Sequence, residues 1–173
     1  MGRTVHKMRE VWELVDINEN KTGVTIERGT STPIPQGMYH MAVDIWVKGK
    51  DGKILLTQRH PNKPWGLKWE CSGGSIVKGE SHMEGAIREL QEETGIKITE
   101  EKLLYLGKTV MEEYQCIMYT YLVCLTDDVA LNLQAEEVVD AEWLEISELE
   151  NMREDIVGSV WDRYLQFKEK IMR

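Results

Sequence analysis

Gly74-Ser75-Ile76-Val77-Lys78-Gly79-Glu80-Ser81-His82-Met83-Glu84-Gly85-Ala86-Ile87-Arg88-Glu89-Leu90-Gln91-Glu92-Glu93-Thr94-Gly95-Ile96 is a glycine-opened loop running into a helix-forming segment. Ser81 with Glu84 three residues on has the form of a capping box, and Gly95 suits the residue that closes a helix, so a helix is predicted between them. Glu89, Glu92 and Glu93 stand at i, i+3 and i+4, which stacks their carboxylates on one face with Cβ atoms about 5–6 Å apart. Three like charges that close repel one another unless a cation neutralises them. Oxygen ligands of this kind suit Mg²⁺ or Mn²⁺, which keep waters and substrate phosphates as their remaining ligands.

The spacing is G-x5-E-x7-R-E-U-x-E-E-x-G-U (U aliphatic), filled by Gly74, Glu80, Arg88, Glu89, Leu90, Glu92, Glu93, Gly95 and Ile96. A solvated acidic helix accounts for Glu92 and Glu93, but not for the two glycines, Arg88 and Glu80 in register. At every position the stretch resembles the Nudix box of the MutT-like Nudix hydrolases. The resemblance implies an α/β/α sandwich with a mixed central sheet. It also implies hydrolysis of a diphosphate linkage, in a nucleoside diphosphate joined to another moiety or in a nucleoside triphosphate. Glu89, Glu92 and Glu93 are then ligands of Mg²⁺, with Mn²⁺ as a substitute and the Gly73 carbonyl as a further ligand. A cation there neutralises diphosphate charge and lowers the pKa of water. Arg88 orients a glutamate by charge-assisted hydrogen bonds, or makes a plain helix ion pair with Glu84 or Glu92, each four residues away. Glu80 either binds a further metal through water or holds Arg88, and the second role is favoured.

The general base lies outside the box. The family resemblance points to a glutamate in the loop before the last strand, where Glu136 and Glu137 stand, Glu137 six residues before Trp143. Glu137 thus joins Glu89, Glu92, Glu93 and Arg88 in the expected catalytic set, its alternative being a solvated loop charge. Glu112 and Glu113, in a turn between two strands, are the second choice. For the substrate, Arg59 offers a guanidinium fork that grips phosphate bidentately, or else a surface ion pair. Lys63 and Trp65 are placed at the mouth of the site, where Trp65 or Trp69 stacks on a base or serves as core.

A narrower resemblance, from about Trp12 to Ile96, is to isopentenyl-diphosphate isomerase and its hydrolase relatives. It rests on Leu14-Val15-Asp16 with Thr22-Gly23, on Tyr39-His40-Met41-Ala42-Val43, and on Gln58-Arg59, Lys63 and Trp69. The isomerase is therefore the rival reading. Its cysteine falls on Gly73 and one metal-binding histidine on Ser75, so both are absent. Cys71, two residues early, lies about 7 Å off along an extended chain. A third reading is a nucleotide-binding Nudix module without catalysis. Such proteins alter the glutamates or append a DNA-binding domain, and this chain does neither.

With 173 residues, 42% hydrophobic and 29% charged, the chain has enough material for one domain with its own core, expected over 1–173. Within it, 1–36 is read as an N-terminal hairpin extension, 74–96 as the box and 154–172 as a C-terminal helix. A net charge of -9 argues against a nucleic-acid or membrane surface; the partner that the Nudix resemblance implies is a small-molecule diphosphate, with a homodimer through the hairpin as an option. Cys71, Cys116 and Cys124 form no CxxC pair, which suggests neither a disulfide framework nor a zinc site. Residues Met1 to Glu10 lack an apolar signal core, so the expectation is a soluble cytoplasmic chain.

Strands are expected at Val11–Ile17 and Val24–Arg28 around the turn Asn18–Gly23. Further strands follow from Tyr39, at Lys53–Arg59, at Leu103–Met111, at Tyr114–Leu125 and at Ala141–Ile146. In the strand from Tyr39, His40, Ala42 and Asp44 alternate against Met41, Val43 and Ile45. Ile156, Val160, Tyr164, Phe167 and Ile171 recur at helical spacing, giving an amphipathic helix that packs on the sheet. Helices on both faces of a mixed sheet are the layered arrangement that follows.

Overall fold

Val11–Val15 (β1) and Lys21–Glu27 (β2) pair as the antiparallel N-terminal hairpin in the computed structural model, which describes residues 10–173. The part of the N-terminal reading that falls on residues 1–9 lies outside the described residues. The hairpin loop is shorter than the predicted turn Asn18–Gly23. Asp16 Oδ1 accepts the backbone N–H groups of Asn18 (2.8 Å) and Asn20 (2.9 Å), so pairing resumes at Lys21 and Ile17 is left exposed.

His40–Lys48 (β3) and Ile54–Arg59 (β4) begin as a hairpin but pair only at Val47↔Leu55 and Lys48↔Ile54. Beyond those residues the two strands part, and the segment Trp69–Ser75 fills the fork. Its first piece, Trp69–Glu70 (β5), pairs with β4, and after Cys71 its second piece, Ser72–Ser75 (β6), pairs with β3. The box helix His82–Thr94 (α1) follows. Leu104–Met111 (β7), Cys116–Cys124 (β8) and Val138–Leu144 (β9) complete the sheet. Its order is β5-β4-β3-β8-β7, with β6 also on β3 and β9 also on β4. Only β3 and β8 run parallel, so the sheet is mixed as expected.

Two layers of core flank it. On one face Ala86 and Leu90 of α1 pack with Val43, Ile45 and Val47. On the other, Trp46 and Leu56 pack with Tyr164, Phe167 and Ile171 of the C-terminal helix Gly158–Met172, numbered α3 because Ile146–Asn151 forms a short α2. The alternation read along β3 is thus the division between the layers. At the bulge between Tyr105 and Gly107, the Phe167 ring packs so close that a Cβ on Gly107 would lie 2.7 Å from it.

Several boundaries differ from the sequence reading: β8 starts at Cys116 instead of Tyr114 and β9 at Val138 instead of Ala141. Ile146 opens α2 instead of ending the last strand, because Glu145 caps that helix with Glu148 in a reciprocal capping box. The C-terminal helix begins at Gly158 and not at 154. The Val157 N–H donates to the Trp69 carbonyl (3.0 Å) and Ile156 bridges Trp69, which holds this segment extended against the sheet.

The start of α1 carries the predicted cap: the Ser81 side chain accepts from the Glu84 N–H (3.2 Å), and Glu84 accepts from the Ser81 N–H (2.8 Å). Gly95 closes the helix at φ 77, in the left-handed region. Ser81→Ala is expected to lower the unfolding free energy by about 1 kcal/mol. Urea titration followed by circular dichroism measures this, and an unchanged midpoint would show that the cap contributes nothing.

Candidate functional site

The strand laid into the fork is Ser72-Gly73-Gly74-Ser75, with no side chains at its centre. That absence lets α1 set its carboxylates directly on the strand. A Cβ on Gly74 would lie 2.4 Å from the Glu89 carboxylate carbon. Glu93, one turn further along the helix, is buried and accepts the Gly73 N–H at 3.1 Å. Gly73 stands opposite Asp44 with its N–H turned away from β3. In an antiparallel ladder the carbonyl of a residue points to the same side as its N–H, so the Gly73 carbonyl also leaves the ladder.

Arg88 holds the rest of the box together. Its Nε donates to Glu80 Oε1 (2.5 Å), its Nη2 to Glu80 Oε2 (3.0 Å) and to the Ser75 carbonyl (3.0 Å). Its Nη1 reaches Glu89 (2.8 Å) and Glu92 (3.3 Å). Of the two roles read for Glu80, the structure displays the grip on Arg88. The Glu80 bonds also hold the guanidinium more firmly protonated. Burial raises the Glu89 carboxyl against the pull of Arg88. Burial pushes Glu93 well above the usual carboxylate range, and the charges of Glu70 and Glu89 add to it.

As placed, no three Asp, Glu, His or Cys side chains among the described residues converge into a ready metal cage. Glu89 and Glu92 turn to Arg88, and Glu93 to the Gly73 amide. The donor set nevertheless fits a hard divalent cation. It is all oxygen, it lies on a cradle that a Cβ would fill, and its buried glutamate is held with too little positive charge nearby. Glu89, Glu92, Glu93 and the Gly73 carbonyl are the groups that could hold it.

Glu137 lines the same cleft as Glu89, Glu92 and Glu93. It ends the loop before β9, where its carbonyl accepts the His60 N–H (2.9 Å) and its carboxylate meets Lys63 Nζ at 2.7 Å. Glu136 is exposed and does not line the cleft. Glu112 accepts the Tyr39 hydroxyl (2.8 Å) and lines a separate depression with Glu113.

A cavity of about 240 Å³ adjoins the cleft between β3 and α3, sharing Arg28, Lys63, Gly73 and Gly74 with it. Arg59, Lys63 and Trp65 all line it. Arg59 is already held: Nη1 contacts both Glu70 oxygens (2.7 and 2.6 Å) and Nε donates to the Pro64 carbonyl (2.7 Å). Trp65 is half exposed at φ 53, with Leu67 at φ 66 beside it, a backbone region that side-chain-bearing residues seldom occupy. Trp69 and Cys71 are buried, and burial pushes the Cys71 thiol far up, away from reactivity. His40 stacks on Trp12 with ring centroids 4.4 Å apart, and burial lowers its pKa to about 4.

Sequence reading missed four members of this surrounding. Glu70 pairs with Arg59 from eleven residues away, Arg28 arrives from the hairpin, and Asp44 and Arg163 form a buried ion pair. Only Asp44 left a signal, as a lone charge in an apolar strand.

Residues 38–162 match the NUDIX domain family. A Nudix hydrolase of Listeria monocytogenes is 35% identical over 150 residues, covering 83% of this chain and 85% of that protein. The chain therefore belongs to the Nudix hydrolase family. Among solved structures, a protein of Deinococcus radiodurans superimposes with a TM-score of 0.75 at 18% identity, over 91% of this chain and 99% of that one. A bifunctional NMN adenylyltransferase/ADP ribose pyrophosphatase of Francisella tularensis, complexed with AMP and a Mn ion, gives 0.66 at 22% identity over 81% of this chain and 43% of that one. At these identities the structural likeness is one of fold. No helix among the described residues is long and apolar enough to cross a membrane.

His40 supplies a test of the cavity wall. A base whose folded pKa is depressed to about 4 takes up its proton mainly in the unfolded chain. Its stabilising contribution is therefore complete above the unfolded value of about 6.5 and is lost as pH falls toward the folded one. From pH 7 to pH 5 the chain is expected to lose about 2 kcal/mol through this group. Urea titrations at the two pH values should show a smaller loss in His40→Phe, and an equal loss would mean that His40 is not buried in the neutral form.

Proposed function

We propose that this family member is a Mg²⁺-dependent hydrolase, with Mn²⁺ as a substitute, cleaving the diphosphate linkage of a nucleoside diphosphate joined to another moiety or of a nucleoside triphosphate. The carrying observation is the Gly73–Gly74 cradle: at Gly74 a Cβ would lie 2.4 Å from the Glu89 carboxylate carbon, so only glycine leaves room for it, and the Gly73 N–H donates to Glu93. Bound by these carboxylates, Glu92 and the Gly73 carbonyl, the cation supplies charge neutralisation for the diphosphate and a more acidic water. The pyrophosphatase activity and the Mn ion named for the Francisella neighbour agree with this reading.

The chain's own residues do the remaining work. Arg88 keeps Glu89 and Glu92 on one side of the helix and ties them to the Ser75 carbonyl, fixing the carboxylates relative to the strand. Lys63 and Arg28, which line both cleft and cavity, and Arg59, which lines the cavity, bind phosphate oxygens, Arg59 pre-set by Glu70. Glu137, in the cleft and positioned by Lys63, takes the proton from the attacking water. Trp65 covers the cavity mouth against the group carried by the diphosphate.

Nucleoside triphosphates, dinucleoside polyphosphates, nucleotide sugars and ADP-ribose, each with Mg²⁺ and with Mn²⁺, form the assay panel. At least one should be cleaved. Glu92→Gln and Glu93→Gln should each lower kcat at least about 100-fold, the scale expected when charge stabilisation is lost. Absence of turnover across the panel together with tight binding of one compound would sink the reading in favour of a binding module. On the substrate that is cleaved, Glu137→Gln should lower kcat by about 10²–10⁴ with KM little changed. A change confined to KM would make Glu137 a substrate contact instead of the base.

A further inference from the structure

The N-terminal hairpin precedes residues 38–162, which match the family, yet two of its side chains reach the site. Glu10 and Arg28, at its open end, line the carboxylate cleft with Glu89 and Glu92, and Arg28 lines the neighbouring cavity as well. The two are tied to each other. Arg28 Nη1 donates to Glu10 Oε2 (2.7 Å), and the Arg28 N–H donates to the Glu10 carbonyl (2.8 Å). Where Arg28 stands is therefore set by whatever docks the hairpin as a body.

A two-stranded ribbon is marginally stable on its own in water, so this hairpin relies on contacts with the rest of the chain. Along its length the backbone contacts are few. The Lys78 N–H donates to the Val11 carbonyl (2.7 Å), and Val15 and Tyr39 exchange two bonds (3.0 and 2.9 Å). Trp12 stacks on His40 of β3, but its Nε1 is buried there with no hydrogen-bond partner among the described residues. A donor that gives up water and gains nothing opposes docking.

The far end holds better. At the hairpin tip Glu19 stands at φ 66, in the left-handed region, and its carboxylate accepts from the Tyr119 hydroxyl on β8 and from Lys108 Nζ on β7. These bonds, that of Lys108 first, hold the Glu19 carboxyl below its ordinary pKa. The Glu19–Lys108 pair is partly exposed, so its charges alone contribute little. Tyr119 is buried and gives the contact its direction. His82, the first residue of α1, lies parallel on the Tyr119 ring at 12° with centroids 4.3 Å apart, and its Nδ1 meets the Tyr121 hydroxyl. One cluster thus joins the hairpin tip to two strands and to the start of the box helix. None of Glu19, Lys108, Tyr119 and His82 lines the cleft or the cavity.

Resting on the proposed binding of phosphate by Arg28, we propose that Glu19 is a positioning residue for the cleft: its clasp on Tyr119 and Lys108 keeps the hairpin down, and so keeps Arg28 where the diphosphate binds. With the tip released, the hairpin exchanges between docked and lifted forms, and the apparent affinity falls with the docked fraction. The bound anion in turn favours the docked form, because only there does Arg28 reach it.

The test is binding, which stands apart from turnover. Methylenediphosphonate, a diphosphate whose carbon bridge is not hydrolysed, is titrated calorimetrically into the full chain with Mg²⁺ in the buffer. Glu19→Ala should bind it about 3- to 10-fold more weakly than the wild type, the scale of one or two lost hydrogen bonds. Tyr119→Phe keeps the ring under His82 and removes only the hydroxyl, so it should bind about 2- to 5-fold more weakly without risk to the core. Arg28→Ala should bind about 10- to 100-fold more weakly. The double variant E19A/R28A should match Arg28→Ala within about twofold, because Glu19 acts only through Arg28. Hydrogen exchange should be faster over 11–27 in Glu19→Ala and unchanged in β3 and α1.

Wild-type affinity in both Glu19→Ala and Tyr119→Phe would overturn the proposal. So would losses that add in the double variant, since Glu19 would then act on the whole fold and not through Arg28. Absence of binding by the wild type overturns it too. Full affinity in Arg28→Ala removes the phosphate role of Arg28, and this proposal with it. Weak binding by Arg28→Ala beside wild-type binding by Glu19→Ala removes the clasp alone. Binding that follows the expected pattern without cleavage of any diphosphate leaves the clasp standing while the hydrolase reading falls.

Discussion

The Arg88 guanidinium is the interaction on which the site depends. It reaches Glu80 before the helix, Glu89 and Glu92 on it, and the Ser75 carbonyl on β6, so one planar group locks loop, helix and strand into a single geometry. Glu89 and Glu92 repel each other where they stand on one face of the helix. Arg88 offsets that repulsion from the flank, while Glu93, deeper and without a guanidinium beside it, is pushed by burial toward its neutral form. On the proposed reading, folding and ion binding draw on the same carboxylates, and Arg88 sets how they are arranged.

The fork in the sheet gives this helix its platform. Because β3 and β4 pair at only two register positions, β6 can enter between them and bring Gly73 and Gly74 under α1. The same opening on the other side of the sheet is bounded by α3, and the space left there is the cavity lined by Arg59, Lys63 and Trp65. A hairpin zipped along its full length would abolish both. The glycines are therefore needed twice: as a strand thin enough to accept carboxylates, and as the wall common to cleft and cavity.

What could be read from the sequence was whatever depends on short-range spacing. The box, its cap at Ser81 and its close at Gly95 are local patterns, and so is the alternation in β3 that separates the two cores. Turn and helix ends decided by a single side chain were misplaced. Asp16 shortened the hairpin loop, and Glu145 turned Ile146 from a strand residue into the start of a helix. Partners close in sequence were legible, Glu80 and Glu92 for Arg88 among them, whereas those from distant segments were not. Arg163 meets Asp44 across 119 residues, and no local pattern encodes such a meeting. Glu70 looked like any charge near a strand end until the fork placed it against Arg59.

Net charge illustrates the same distinction between composition and placement. A chain with a formal charge of -9 is acidic in sum, yet Arg28, Arg59, Lys63 and Arg163, from three separate segments, all line one cavity. Arg59, Lys63 and Arg163 are each held by an acid from another segment: Glu70, Glu137 and Asp44. Such pairing lowers the local excess of positive charge but fixes where each cation points. For a small anion, direction counts for more than total charge, because a charge-assisted hydrogen bond needs its donor within about 3 Å and in line. The acidic partners are thus part of how an acidic protein aims its cations into one cavity, and composition alone, which sums them to a negative number, hides it.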